Sequence, residues 1–172
     1  FSDGINGLTI SICIFWIFVF IIFGKFNFIY LSGLLFSLII LLVYNLKNDL
    51  FLGNSGSALL SIILSCLFIL EYNNNKSLLC DEIFILMFVP AIDAGRVSLE
   101  RIIKGISPFK ADNIHLHHLL LKKYKNYTLC IYIIFTILPF LLTLFDIKTY
   151  YIIILSFILY ALTISYLKKK YL

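Results

Sequence analysis

Six long apolar runs dominate this sequence: Leu8–Phe23, Phe28–Tyr44, Gly56–Leu70, Leu78–Ile92, Tyr127–Phe145 and Thr149–Leu167. A helix needs about 20 mostly apolar residues, within a range of about 17–25, to cross the hydrocarbon core of a bilayer. The runs are continuous and do not alternate with polar residues, which favours helices over β-barrel strands. Only those two architectures satisfy every backbone hydrogen bond inside lipid. Composition agrees: 62% of the 172 residues are apolar and 13% charged, with a mean hydropathy of +1.02. A soluble domain is about 45–50% apolar and about 25% charged, and one of this size could not hide so much apolar surface. A soluble globular domain, a disordered tail and a nucleic-acid-binding module are therefore excluded. The expected fold is all-α, a polytopic integral membrane helical bundle of about six transmembrane helices forming a single membrane domain over residues 1–172.

The third and fourth runs are short. The fourth carries Asp81 and Glu82 near its start and is expected to continue past the membrane as a helix through Arg96–Lys104. The net charge is +5, and its placement reports topology. Seven of the fourteen Lys/Arg residues lie between Arg96 and Lys125, and three more form Lys168, Lys169 and Lys170. With six spans, eleven basic residues fall on one side. Only Lys25, Lys76 and Lys148 fall on the other. The positive-inside rule makes the basic side cytoplasmic, and residues 93–126 then form a cytoplasmic loop.

The chain begins with Phe1 and has one methionine, Met87, so it is expected to be the C-terminal part of a longer protein. Phe1–Ser11 lacks the basic n-region of a signal peptide. Cys13, Cys66, Cys80 and Cys130 are far apart and lie within the apolar runs, so they read as small hydrophobes.

Three polar segments carry candidate chemistry, and all three fall on the expected cytoplasmic side. The first, Phe1–Leu8, places Asp3 and Asn6, each followed by a glycine, at the mouth of the first span. These side chains either face a polar cavity or, with Asp3 as N-cap, start a helix. The second, Phe51–Ser57, has Asn54 and Ser55 between Gly53 and Gly56. It is either an anion-facing turn backed by a helix N-terminus or a Gly-Ser turn at a helix start. It is not a Walker A loop, since no Lys follows the second glycine. The third, Arg101–His118, holds all three histidines, His115, His117 and His118. Imidazoles can bind metal, exchange protons or hold phosphate. No further ligand set for a closed zinc site is nearby. The open alternatives are an anionic-substrate loop and a solvated basic loop beside anionic lipid head groups.

Together these segments resemble the polyprenyl-phosphate N-acetylhexosamine-1-phosphate transferases. Asp3-Gly4-Ile5-Asn6-Gly7-Leu8 is similar to that family's Asp-Gly-x-Asp-Gly-Leu element, and Phe51–Ser57 to its Phe-x-Gly-Asp-x-Gly-Ser element. Ser107-Pro108-Phe109, Asp112 and His115-Leu116-His117-His118 are similar to its Ser-Pro-Phe…Asp…His-x-His-His loop, preceded by Pro90 and Asp93 as Pro-x-x-Asp. The resemblance spans nearly the whole chain and is closer to the GlcNAc-1-phosphate branch than to the muramoyl-pentapeptide branch.

The resemblance implies transfer of a HexNAc-1-phosphate, GlcNAc-1-phosphate by branch, from a UDP-HexNAc to undecaprenyl phosphate, with release of UMP. The implied place is the cytoplasmic face of a bacterial inner membrane, where the reaction would initiate cell-surface polysaccharide synthesis. The implied cofactor is Mg2+, with Mn2+ as an alternative. The implied partners are the two substrates and the bilayer, with a homodimer open and no nucleic acid. By the same resemblance, Asp3, Asn54, His115, His117 and His118 would be catalytic, and Asn54 and Asp3 would lie at the metal. Asn6 would help shape the nucleotide or metal region. Gly53, Ser55, Gly56 and Ser57 would build a phosphate-facing turn. Arg101 and the histidines would contact the donor's diphosphate or sugar, and Asp112 would orient the His loop. Two departures stand out, Asn6 and Asn54, each where the family has Asp. Magnesium prefers charged carboxylate ligands, so Asn54 implies weaker metal affinity, a different ligand arrangement or a non-catalytic member.

The family's Asp-Asp pair would lie upstream of this sequence, so the 172 residues alone are expected to be inactive. Two other functions stay open here: a non-catalytic membrane scaffold of the same fold, and a small transporter. A transporter calls for mid-span ionisable residues, which these runs nearly lack.

Overall fold

A computed structural model of the chain describes residues 5–108, 113–145 and 147–169. The described residues are mostly helical, with no strand among them. The helices are α1 (Leu8–Phe23), α2 (Phe28–Leu46), α3 (Gly53–Leu70), α4 (Cys80–Ile103), α5 (Leu116–Tyr124), α6 (Thr128–Thr143) and α7 (Thr149–Lys169). A π-helical turn, Glu71–Asn75, prolongs α3, and a 3-10 turn, Lys125–Tyr127, joins α5 to α6. The helix positions follow the apolar runs, and α1 has the same bounds as the first run. As expected, α4 continues past its apolar part, ending at Ile103. Beyond that extension the segment 93–126, expected as a cytoplasmic loop, also contains the whole of α5. The reason is visible in α5: Leu116, Leu119 and Leu120 recur at helical spacing and are buried.

Among the described residues, four stretches are long and apolar enough to cross a membrane: Phe28–Leu46, Gly53–Asn74, Leu116–Thr143 and Thr149–Lys169. The chain is thus a helical membrane protein. The Leu116–Thr143 stretch is not one straight helix, because Lys125 has a left-handed φ of 36° between α5 and α6. At 16 residues, α1 spans only about 24 Å. The 24 residues of α4 carry Asp81, Glu82, Asp93, Arg96, Glu100 and Arg101.

The chain forms two compact units, Ile5–Phe84 and Ile85 onward. In the first, α1 is the buried helix and contacts both α2 and α3. The neighbours each offer it a narrow stripe. That of α2 is Leu31, Leu38 and Asn45, two turns apart, and that of α3 is Leu60, Leu64 and Phe68, one turn apart. Phe68 packs on Phe20 with ring centroids 4.7 Å apart and meets Trp16 edge-on at 5.7 Å. The remaining faces of α2 and α3 are apolar and exposed, as lipid contact requires.

A polar clasp closes the end of this unit where Gly7, Asn45 and Leu50 meet. The Gly7 N–H donates to Asn45 Oδ1, and Asn45 Nδ2 donates to the Leu50 carbonyl at 2.8 Å. One buried side chain thus joins the start of α1, the end of α2 and the approach to α3, and makes α1 and α2 antiparallel. Gly7 sits at φ 81°, a backbone conformation that L side chains rarely adopt, so the turn into α1 requires glycine.

In the second unit α5, α6 and α7 contact one another. The buried face of α7 is Ile152, Ser156, Tyr160 and Ile164, one residue per turn, followed by Leu167. Side-chain bonds link Asp93 to Tyr160 and Glu100 to Lys168. The partners advance together, seven residues along α4 and eight along α7, about 10 and 12 Å of rise. The two helices are therefore parallel, and the chain between them must return.

Replacing Asn45 by the similarly sized Leu leaves the Gly7 N–H and the Leu50 carbonyl without partners. Each unsatisfied buried group costs about 1–3 kcal/mol. Asn45→Leu is expected to lower the midpoint of SDS-induced unfolding in mixed micelles. An unchanged midpoint would show that the clasp adds nothing.

Candidate functional site

The most connected polar group of the second unit is the Asp93 carboxylate, which is 2% exposed. It lies one residue beyond the fourth apolar run. The spacing Asp93-x-x-Arg96-x-x-x-Glu100 places three charges on one face of α4. Asp93 Oδ1 accepts from Arg96 Nη2 at 2.9 Å and from the Tyr160 hydroxyl at 2.7 Å. Oδ2 binds His115 Nδ1 at 2.8 Å, and the Leu116 N–H donates to both oxygens at 3.0 and 3.1 Å. Four donors from α4, α7 and the start of α5 thus converge on one carboxylate.

Arg96 completes the web. Its Nε donates to the Tyr160 hydroxyl and its Nη2 to the Ile114 carbonyl, each at 2.7 Å, and its Nη1 pairs with Glu100 at 2.7 Å. Lys168 donates to the same Glu100 oxygen at 2.6 Å. Burial would push the Asp93 carboxyl up. Hydrogen bonds from His115, Arg96 and Tyr160 outweigh it and hold the carboxyl down at about 2. Burial likewise works against the Arg96 charge, and Asp93, Glu100 and Tyr160 more than restore it. Glu100, though its partial burial favours the neutral form, is lowered by Lys168 and Arg96. Asp93, Arg96 and Glu100 are therefore held in their charged forms.

This web fastens the histidine segment. His115 occupies the N-cap position of α5 and is 6% exposed. His117, 1% exposed, stacks nearly parallel to His115 with ring centroids 5.6 Å apart. His118 lies 4.2 Å from the His117 ring and is half-buried. Tyr132 of α6 meets His117 edge-on. Arg101 is also buried, and its Nη1 donates to the Pro108 carbonyl, drawing the chain after α4 back onto the helix end. Gly105, at φ 68°, permits that reversal.

The structure therefore brings His115, His117 and His118 together in the second unit, with Arg101 at the end of α4 in the same unit. Asn6, Gly53, Asn54, Ser55, Gly56 and Ser57 belong to the first unit. There Asn6 Nδ2 bonds Asn48 Oδ1. Gly53, Asn54 and Ser55 are exposed in the first turn of α3, with Gly53 at φ 64°. The Ser57 hydroxyl donates to the Gly53 and Asn54 carbonyls at 2.9 and 3.1 Å. Asp3 and Asp112 lie outside the described residues. Sequence reasoning missed Arg96, Glu100, Tyr160 and Lys168 as parts of the site. The one-face spacing on α4 was a usable signal for the first two.

Among the described residues no group of three His, Cys, Asp or Glu side chains is placed to hold a metal ion; Asn54 brings no charge, and Asp93 is engaged by four donors. No protein-family model, curated protein or solved structure matches this chain.

Because the folded Asp93 carboxyl lies below its unfolded value of about 3.9, its contribution is complete above pH ~4 and is lost as the pH falls towards 2. The difference corresponds to about 2 kcal/mol. Unfolding followed across this acid range should steepen for the native protein, and Asp93→Asn should flatten that dependence. An identical acid profile in the variant would refute the assignment.

Proposed function

We propose that this chain is part of a polyprenyl-phosphate HexNAc-1-phosphate transferase of the cytoplasmic membrane. The observation that carries the reading is the Asp93-fastened histidine segment, with Arg101 on the helix before it. Three imidazoles and a guanidinium at the end of an apolar bundle suit a polyanionic soluble donor and a lipid phosphate acceptor. In the proposed reaction an oxygen of undecaprenyl phosphate attacks the sugar-linked phosphorus of a UDP-HexNAc. The bond from that phosphorus to the bridging oxygen breaks, and UMP leaves with the oxygen. The polyprenyl diphosphate-sugar stays in the membrane. Arg101 and the histidines would offset the phosphate charge that builds during transfer. The proposed orientation puts the histidine segment on the cytoplasmic side, in keeping with the eleven-to-three division of basic residues.

A second reading is favoured by one observation: Asn54 stands where the resemblance calls for a metal-binding Asp. In that reading the chain is a non-catalytic membrane scaffold.

The gene's complete open reading frame, expressed and purified, is expected to release UMP from UDP-GlcNAc when undecaprenyl phosphate is supplied. His118→Ala should reduce turnover at least about a hundredfold. No release with several UDP-HexNAc donors, from well-folded protein, would favour the scaffold. Orientation has its own test. In a cysteine-free background, Lys104→Cys should be shielded from an impermeant maleimide added outside intact cells, and Lys76→Cys should react. The reverse pattern would overturn the topology.

A further inference from the structure

The bond between Asp93 and His115 fixes more than the place of the histidine segment. Asp93 Oδ1 already accepts from Arg96 Nη2 and the Tyr160 hydroxyl, and the Leu116 N–H reaches both carboxylate oxygens. A carboxylate with that many donors has no proton of its own to give. The His115 Nδ1, 2.8 Å from Oδ2, must therefore be the donor. That proton remains on Nδ1 whether the ring is neutral or charged. Every change of protonation on His115 then takes place at Nε2, and the ring does not need to turn when it happens.

Tyr160 decides how firmly this holds. Its hydroxyl donates to Asp93 and accepts from Arg96 Nε at 2.7 Å. It thus bridges the two members of a buried ion pair from a helix 67 residues away in sequence. Phe at this position would keep the ring but leave Asp93 short of a donor and Arg96 Nε short of an acceptor.

We propose that Tyr160, through Asp93, is a positioning residue that holds His115 as the Nδ1–H tautomer, making Nε2 the one atom through which this ring exchanges a proton or hydrogen-bonds with substrate. Neutral His115 then meets a substrate O–H, either a sugar hydroxyl or a protonated phosphate oxygen, as an acceptor. It never presents a neutral N–H there. The part of this that concerns substrate rests on the transferase reading, while the tautomer stands apart from it.

The test is nitrogen-15 NMR of histidine-labelled whole protein in lipid nanodiscs, with the rings neutral. His115→Gln, His117→Gln and His118→Gln each assign the signals of the three histidines of this segment. The native protein is expected to show His115 with a protonated Nδ1 and a bare Nε2. Tyr160→Phe and Asp93→Asn should each give a mixture of tautomers. In the UMP-release assay, Tyr160→Phe should lower kcat about tenfold or more with little change in the KM for donor, as misplacement of a reacting group does. An Nε2–H tautomer in the native protein overturns the proposal without any variant. So does an unaltered tautomer in both variants. A native Nδ1–H tautomer in a protein that releases no UMP supports the positioning and overturns the transferase reading.

Discussion

A carboxylate at the end of an apolar helix is expensive to bury, and Asp93 is tolerable only because four donors meet it. Taking a charge out of water costs several kcal/mol unless partners and hydrogen bonds surround it. Here the partners come from three places: Arg96 one turn along the same helix, Tyr160 on α7, and His115 with the Leu116 N–H at the start of α5. Apolar faces alone do not specify how membrane helices align, because lipid is as apolar as the helices. The geometric demand of one carboxylate does specify it. The depth of α7 against α4 and the attachment of the histidine segment depend on this group.

The first unit solves a similar problem without charge. Asn45 supplies one acceptor and one donor where three chain segments meet, and Gly7 lets the backbone approach closely. The amide satisfies two backbone groups that irregular chain would otherwise leave unpaired near lipid. The two units thus use the same device at different strength: a single polar side chain spanning several segments, inside a bundle whose other contacts are apolar.

The helices were legible in the sequence because hydropathy alone selects segments that can cross a bilayer, and Leu8–Phe23 needed nothing more. The extension of α4 was legible because Asp93, Arg96 and Glu100 continue at helical spacing past Gly95, up to the turn at Gly105. The break before α6 was not, because Lys125 takes a left-handed conformation that its residue type does not announce. The histidine segment was legible as a cluster, but its anchor was legible only in part. Asp93 was visible. Tyr160, set among Tyr150, Tyr151 and Tyr166 in an apolar run, looks like any aromatic residue of a membrane helix. Its role comes from tertiary contact with α4, and no local pattern marks that.

The parallel alignment of α4 and α7 has a consequence for how the protein is made. Asp93 and Tyr160 are separated by 67 residues, which at roughly 5–20 residues per second takes about 3–13 s to synthesise. During that interval α4 has emerged with its ion pair and α7 does not yet exist. Arg96 can neutralise Asp93 at once, since both lie on one helix face, but Tyr160 and Lys168 arrive only after the chain has turned back through α6. The histidine segment can therefore be held by Asp93 and Arg96 soon after it is made, through His115, Leu116 and Ile114, while the web as a whole is completed only when α7 arrives.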